Sequence, residues 1–201
     1  MPTYSNTSGF AHYDDYLYSD TLNWINHEWI DYIMPQCYWA IEHSGANFVE
    51  LTKWWSWAVR NKKVNFYTGL GIYMGADPST EGSYKYWKYN ENEIQLQLLN
   101  AGQYPEFDGA CFYKYSSLKQ TSSDIVNHAV NLISNDYWAK KIPGAISKYY
   151  APLLDEVAPT MINYDEQTST ISFNEVENSR GYIIYKVPKG TILDKNDINH
   201  I

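Results

Sequence analysis

The chain is poor in the residues that would take it away from a packed, acidic globular protein. Among its 201 residues only two are cysteine, Cys37 and Cys111, and their separation matches no metal-ligand spacing. Cysteines inside apolar strands are more often small core residues than a bridge. Positive charge is scarce as well: 15 Lys and Arg stand against 23 Asp and Glu, a net charge of −8. That balance argues against nucleic acid as a partner, which needs basic stripes. No apolar run is long enough to span a bilayer. The opening "MPTYSNTSGF" has neither the basic start nor the apolar centre of a signal peptide. The histidines His12, His27, His43, His128 and His200 are scattered, so no metal site is expected. Phosphate loops are missing too. "GLGIYMG" spaces its glycines by two and four and does not open a helix directly, so no dinucleotide or other cofactor is expected.

Aromatic side chains are present in excess. Twenty Tyr and eight Trp are more than a core needs. Such side chains bury an apolar body and keep a polar tip free, which suits a carbohydrate or protein surface. A compositional bias, visible also in Asn, Lys and Ile, is the plainer source of part of the Tyr count. With 44 % apolar and 19 % charged residues, the chain can bury a core.

Periodicity divides the chain in two. After a polar lead-in over residues 1–9, Asp14–His27 reads as a helix and Ile30–Tyr38 as a strand. That strand is mostly apolar on both faces, as in a parallel sheet covered on both sides. A helix over Ala46–Asn61 carries Phe48, Leu51, Thr52, Trp55 and Val59 at helical spacing. Val64–Tyr73 is a second buried strand, its end loosened by Gly69 and Gly71. Asn90 with Glu93 resembles a capping box that opens a helix. Phe107–Tyr115 is a third strand. Ser122 and Ser123 can cap a last helix bearing Ile125, Ala129, Leu132 and Ile133. Three strand–helix units in succession predict a parallel α/β layer with right-handed crossovers. Beyond the Pro-containing "YYAPLLDEVAP", the stretches "STISFNEV" and "RGYIIYKV" alternate as short antiparallel strands.

These residues resemble the bacterial glycosyl-hydrolase-like family 10. "YDDYLYSDTLNWINHEWIDYIMPQCYW" is similar to the family's approach to barrel strand six. "LTKWWSWAVRNKKVNFYTGLGIY" resembles the following helix and strand seven. "WKYNENEIQLQ" resembles a Trp-then-Glu-Ile-x-x-Gln helix segment (Trp87, Glu93, Ile94, Gln97), and "FDGACFY" resembles strand eight. "APTMINYDEQTSTISFNEVENSRGYIIYKV" is similar to the fibronectin type III-like module that can follow the barrel. The resemblance implies an α/β fold: the C-terminal portion, about strands six to eight, of a (β/α)8 TIM barrel, then a partial all-β sandwich. It implies residues 1–148 as the barrel part, 149–158 as a linker and 159–201 as the start of the β module. A barrel needs eight strands, so the chain is expected to be a fragment lacking the early strands and their carboxylates. Its own "HYDDY" at His12–Tyr16 is not the family's strand-four motif. No apolar strand precedes it, and Asp14 and Asp15 read as first-turn helix acids.

Active sites of such barrels sit at the C-terminal ends of strands. That places Gln36, Tyr38 and Trp39 in the expected cleft, with Tyr67 and Tyr73 flanking the end of the next strand. Gly69 and Gly71 would let backbone approach a ligand, and Tyr113 with Lys114 would end the third strand. The plainer readings are a lid role for Trp39 and backbone satisfaction for Gln36. Trp54, Trp55 and Trp57 read as helix packing, Asp31 as part of the stability end of the barrel, and Glu93 with Gln97 as a structural i, i+4 pair. Catalytic residues are not identified. Glycoside hydrolysis uses two carboxylates, and Asp20, Asp77 and Glu81 form no convincing pair.

The implied function is that of part of a glycoside hydrolase-like enzyme acting on polysaccharide glycan strands, peptidoglycan among them, by carboxylate acid–base hydrolysis, extracellular or at the cell surface. The fragment alone is expected to be inactive. The alternatives are a non-catalytic carbohydrate-binding or adhesion module and a small flavodoxin-like α/β protein.

Overall fold

The computed structural model describes Ser5, Thr7 and residues 17–76, 84–119, 123–139, 145–149, 157–179 and 181–194. The chain divides into two units, residues 1–139 with 145–151, and residues 140–144 with 152–201.

In the first unit, helix α1 (Thr21–Asn26) starts later than its sequence pattern suggests, because Asp20 caps it. Its carboxylate accepts the Asn23 N–H at 3.0 Å. Asp20 is therefore an exposed helix cap. Asp14 and Asp15 lie outside the described residues, as do Asp77, Glu81 and Ser122. Strand β1 keeps only Tyr32–Ile33 of the expected Ile30–Tyr38. Pro35, which has no N–H to give the ladder, ends it.

Helix α2 (Phe48–Val59) forms where the apolar spacing predicts it, capped by the Asn47 side chain, which accepts the Val49 and Glu50 N–H groups. It buries Phe48, Thr52, Trp55, Ser56, Ala58 and Val59. Trp57 is 39 % exposed, with the Lys53 ammonium over its ring. Strand β2 (Asn65–Leu70) follows, then a 3₁₀ turn over Ile72–Ala76 and helix α3 (Tyr84–Lys88). Helix α4 (Glu93–Ala101), strand β3 (Phe107–Phe112), helix α5 (Tyr115–Leu118) and helix α6 (Asp124–Leu132) complete the layer. Ser123 caps α6 as expected, accepting the Val126 N–H at 3.3 Å. Asn90 and Glu93 do not form the expected capping box. The N-cap of α4 is Asn92, and Glu93 receives the Asn90 side-chain amide instead of the Asn90 backbone N–H.

The three strands are parallel, in the order β1-β2-β3, with Tyr32 opposite Asn65, Ile33 opposite Phe66 and Phe66 opposite Phe107. Period-2 alternation sends Phe66 and Leu70 into a core shared with Phe48, Trp55, Val59, Leu98 and Val126. The opposite face is open only in part among the described residues: Tyr32 is 57 % exposed and Met34 40 %, and Cys111 is exposed as well, while Asn65 and Gly69 of the central strand are buried. The expectation of strands covered on both sides thus holds in full for one side. The expectation of two core cysteines holds for Cys37 alone, whose thiol burial pushes up to about 12, so it stays protonated and inert.

At the N-terminal ends of the strands, residues 145–149 run as a strap. Ser147 donates to Asp31, the Asn65 side chain bonds the Ile146 carbonyl and the Lys148 N–H, and the Lys148 ammonium meets Asp108 at 2.8 Å. Asp31 therefore serves stability at that end.

In the second unit, β4 (Asn163–Asp165) and β5 (Thr170–Ser172) form an antiparallel hairpin. Its turn is held by Asp165, whose carboxylate accepts the Gln167 N–H at 2.9 Å. The described part of "RGYIIYKV", residues 181–187, is not a strand. Its Tyr182 hydroxyl instead accepts the Val176 N–H at 2.7 Å, in a local loop. No described helix is long and apolar enough to cross a membrane.

Candidate functional site at the strand ends

The C-terminal ends of the three strands converge because each chain leaves the sheet in its own way. At β1, the Pro35 carbonyl accepts two N–H groups, Gly69 at 2.9 Å and Cys37 at 3.0 Å. Gln36 makes one further bridge to Gly69, and the chain then turns out of the ladder. At β2, Gly71 separates the strand from the 3₁₀ turn, where the Met74 N–H returns to the Gly71 carbonyl at 3.0 Å. At β3, the Tyr113 N–H bonds the Leu70 carbonyl at 2.8 Å, one step past the strand, and the Tyr113–Lys114 peptide is cis.

These exits bring three tyrosines together. Tyr38 stacks on Tyr113 with centroids 5.8 Å apart and 29° between planes. Tyr73 meets Tyr38 edge-on at 6.2 Å and Tyr113 edge-on at 5.9 Å. Tyr38 and Tyr73 are partly buried, and Tyr113 is 51 % exposed. Burial holds the Tyr38 hydroxyl above the usual phenol range, and the neighbouring Tyr73, Cys111 and Tyr113 add to the rise. At neutral pH it is a protonated donor and acceptor on an aromatic plate, the pairing that fits a sugar ring and its hydroxyls.

The two glycines are occupied by protein, not left open for a ligand. A Cβ on Gly71 would stand 3.1 Å from both Cβ and Cγ of Tyr38, and one on Gly69 would stand 3.1 Å from the Pro35 carbonyl oxygen. Gly71 seats the Tyr38 ring, and Gly69 admits the β1 backbone. This corrects the expectation that they admit substrate. Tyr67 does not flank its strand's end either. It pairs with Gly109 in mid-strand and meets Tyr32 edge-on at 5.8 Å, lower on the open face. Gln36 is exposed beside its bridge. Lys114, also exposed, leads into α5.

Trp39 turns from the tyrosines toward the loop before α2. Its ring lies 6.5 Å from His43, which meets Tyr86 at 5.9 Å. His43 was invisible as a site neighbour because it looked like one of five scattered histidines. Its Nδ1 accepts the Gly45 and Ala46 N–H groups at 3.2 and 2.9 Å, which the short polar run before the Asn47 cap makes possible. Burial, then Lys85, lowers the His43 pKa below the ordinary 6.5. The folded state therefore favours the neutral ring. Its contribution to stability is complete above the ordinary histidine pKa and is lost as pH falls through the lower folded value. An NMR titration is expected to give His43 a midpoint below 6.5, with the Gly45 and Ala46 amide shifts moving at the same midpoint. A midpoint at or above the ordinary value would contradict the geometry.

Among the described residues, no group of three or more His, Cys, Asp or Glu side chains could hold a metal ion.

Comparison with known proteins gives this arrangement its context. Residues 1–87 match the family described as Glycosyl hydrolase-like 10. The chain is 33 % identical over 162 residues to "Glycosyl hydrolase YngK" of Bacillus subtilis (strain 168), an alignment covering 79 % of this chain and 28 % of that protein. It is 32 % identical over 121 residues to "Glycosyl hydrolase DigH" of Escherichia coli (strain K12), covering 59 % and 27 %. The chain thus spans little more than a quarter of the length of these relatives. The family that "WIDYIMPQCYW" resembles is the family found: residues 1–87 belong to the glycosyl hydrolase-like 10 match, with Tyr38 and Tyr73 inside the matched span and Tyr113 beyond it.

Proposed function

We propose that the parallel sheet is about strands six to eight of a (β/α)8 barrel of a glycosidase-like enzyme, and that its tyrosine cluster contacts a polysaccharide. The observation that carries this reading is the meeting of Tyr38, Tyr73 and Tyr113, one from each strand exit, at the end where such barrels place their sites. In this reading the substrate is a glycan strand, peptidoglycan among the candidates, met outside the cell or at its surface. Hydrolysis by two carboxylates belongs to other strand ends of the barrel. Residues 159–201 would begin a fibronectin type III-like module, a reading that rests on the β4–β5 hairpin.

A non-catalytic glycan-binding module is the second reading. The strand exits favour it by presenting phenols and an amide and no described carboxylate pair.

The 201-residue chain is titrated with chitohexaose, a soluble β-1,4-linked hexasaccharide, by calorimetry and by NMR. Weak binding, with a Kd of about 1 mM or tighter, and at least a tenfold loss in Tyr38→Ala are expected. A chain that binds no such oligosaccharide removes the glycan reading. Cleavage of the hexasaccharide by this chain alone would show that it carries its own acids, against the placement of hydrolysis elsewhere. Binding without cleavage in a complete relative would favour the second reading.

A further inference from the structure

Helix α4 buries a polar pair where an apolar pair would fill the core as well. Glu93 is 2 % exposed and Gln97 0 %. They bond each other along the helix and both also reach off it. Glu93 Oε1 accepts the Ile41 N–H at 2.8 Å and the Gln97 side-chain N–H at 2.8 Å, and Oε2 accepts the Asn90 side-chain amide at 3.1 Å. The Gln97 amide nitrogen also donates to the Trp39 carbonyl at 3.2 Å. Asn47 donates to the Ile41 carbonyl from the other side. A carboxylate and an amide thus grip the main chain on both sides of the fully buried Ala40, beginning one residue after Tyr38.

That arrangement is costly. Burial raises the Glu93 pKa even though three donors favour its charged form, and nearby Glu42 adds repulsion. Leucine or methionine at these positions would avoid the cost of desolvation and keep the helix. Fixing the Trp39 carbonyl and the Ile41 N–H in place is something only polar side chains can do. Past the Gln36–Gly69 bridge the chain leaves the ladder, so the direction in which Tyr38 and Trp39 point needs an outside anchor.

We propose that Glu93 and Gln97 are positioning residues: from the helix layer they fix the main chain at Trp39 and Ile41 and so aim Tyr38 at the ligand. This rests on the glycan reading of the strand ends.

The test compares Glu93→Ala, Glu93→Gln and Gln97→Ala with Leu98→Ala. Leu98 lies on the same helix, is 6 % exposed, and has no bond to the loop among those described. Each variant of the 201-residue chain is titrated with chitohexaose, melted, and examined by NMR at the Ile41 amide and the Trp39 indole. Glu93→Ala and Gln97→Ala are expected to weaken binding by at least about tenfold and to shift both signals. Glu93→Gln, which keeps an oxygen for Ile41, is expected to restore most of the affinity. Leu98→Ala should lose melting temperature but hold its affinity. Glu93→Ala and Gln97→Ala binding like the unmodified chain, or Leu98→Ala losing affinity to the same degree, overturns the proposal. If Glu93→Ala does not fold, Glu93→Gln and Gln97→Ala decide alone. If the unmodified chain binds no hexasaccharide, the glycan reading fails separately. The anchoring claim then stands if Gln97→Ala shifts the Ile41 and Trp39 signals where Leu98→Ala does not, and falls otherwise.

Discussion

Phe66→Ala is expected to lower the unfolding free energy by roughly 3–5 kcal/mol, the range for truncating a buried aromatic in a packed core. Phe66 is fully buried on the central strand and meets Phe107 edge-on at 6.1 Å. Its backbone N–H bonds Asp108 at 2.8 Å, an interaction the substitution leaves in place, so the loss isolates the ring. Domains are stable by only about 5–15 kcal/mol, so the variant should lose a large share of its margin. Urea unfolding followed by fluorescence measures it, as a lower midpoint with an unchanged slope. Tyr32→Ala is the control. Tyr32 stands on the open face of the neighbouring strand, 57 % exposed, and its removal should cost about 1 kcal/mol or less. Equal losses at the two positions would mean that the helices do not cover the face that the alternation assigns to them.

That contrast shows what the sequence could tell and what it could not. The three parallel strands and α2 were legible because the apolar runs around Ile33, Phe66 and Ala110 and the helical spacing of Phe48, Thr52, Trp55 and Val59 encode local burial directly. Which face remains open was not legible, because alternation sorts residues into two sets without saying what covers each. The strand exits were legible in part. Tyr38, Tyr73 and Tyr113 were expected at strand ends and do meet there, but "MPQCYW" reads as continuous apolar strand only until Pro35 is seen using its carbonyl twice. Tyr67 stands three residues before the strand's end at Leu70, which the sequence hides because the run "NFYTGL" gives no mark of where pairing stops. Glu93 and Gln97 read as a cap and an i, i+4 pair because sequence spacing reports neighbours on one helix. Their partners, Ile41 and Trp39, lie more than fifty residues away. The alternating pattern of "RGYIIYKV" predicts a strand, but a strand forms only where a partner edge is available, and the described residues beside it supply none.

Gly71→Ala is expected to remove the tyrosine cluster with the smallest possible change. The added Cβ would sit 3.1 Å from Tyr38 Cβ and Cγ and 3.4 Å from Tyr73 Cε1. The first two atoms lie at the root of the Tyr38 side chain, which cannot swing away as the far end of a flexible chain would. Relief requires the Tyr38 backbone to shift, or the ring to leave its stack on Tyr113. Overpacking of this kind costs about 1–3 kcal/mol. The effect is also expected in binding, because Tyr38 must give way at the root of its side chain and its ring is the contact surface. Chitohexaose affinity should therefore fall in Gly71→Ala, although no ring has been deleted. The ring-current shifts that Tyr38 and Tyr113 impose on each other should collapse together in NMR spectra. Gly69→Ala serves as the comparison. Its Cβ would press on the Pro35 carbonyl at 3.1 Å, so it should strain the strand pairing and lower the melting temperature more than it disturbs the rings. A Gly71→Ala chain that keeps both its ring shifts and its affinity would mean that the glycine is not the seat of Tyr38, and that the three phenols are gathered by something other than the strand exits.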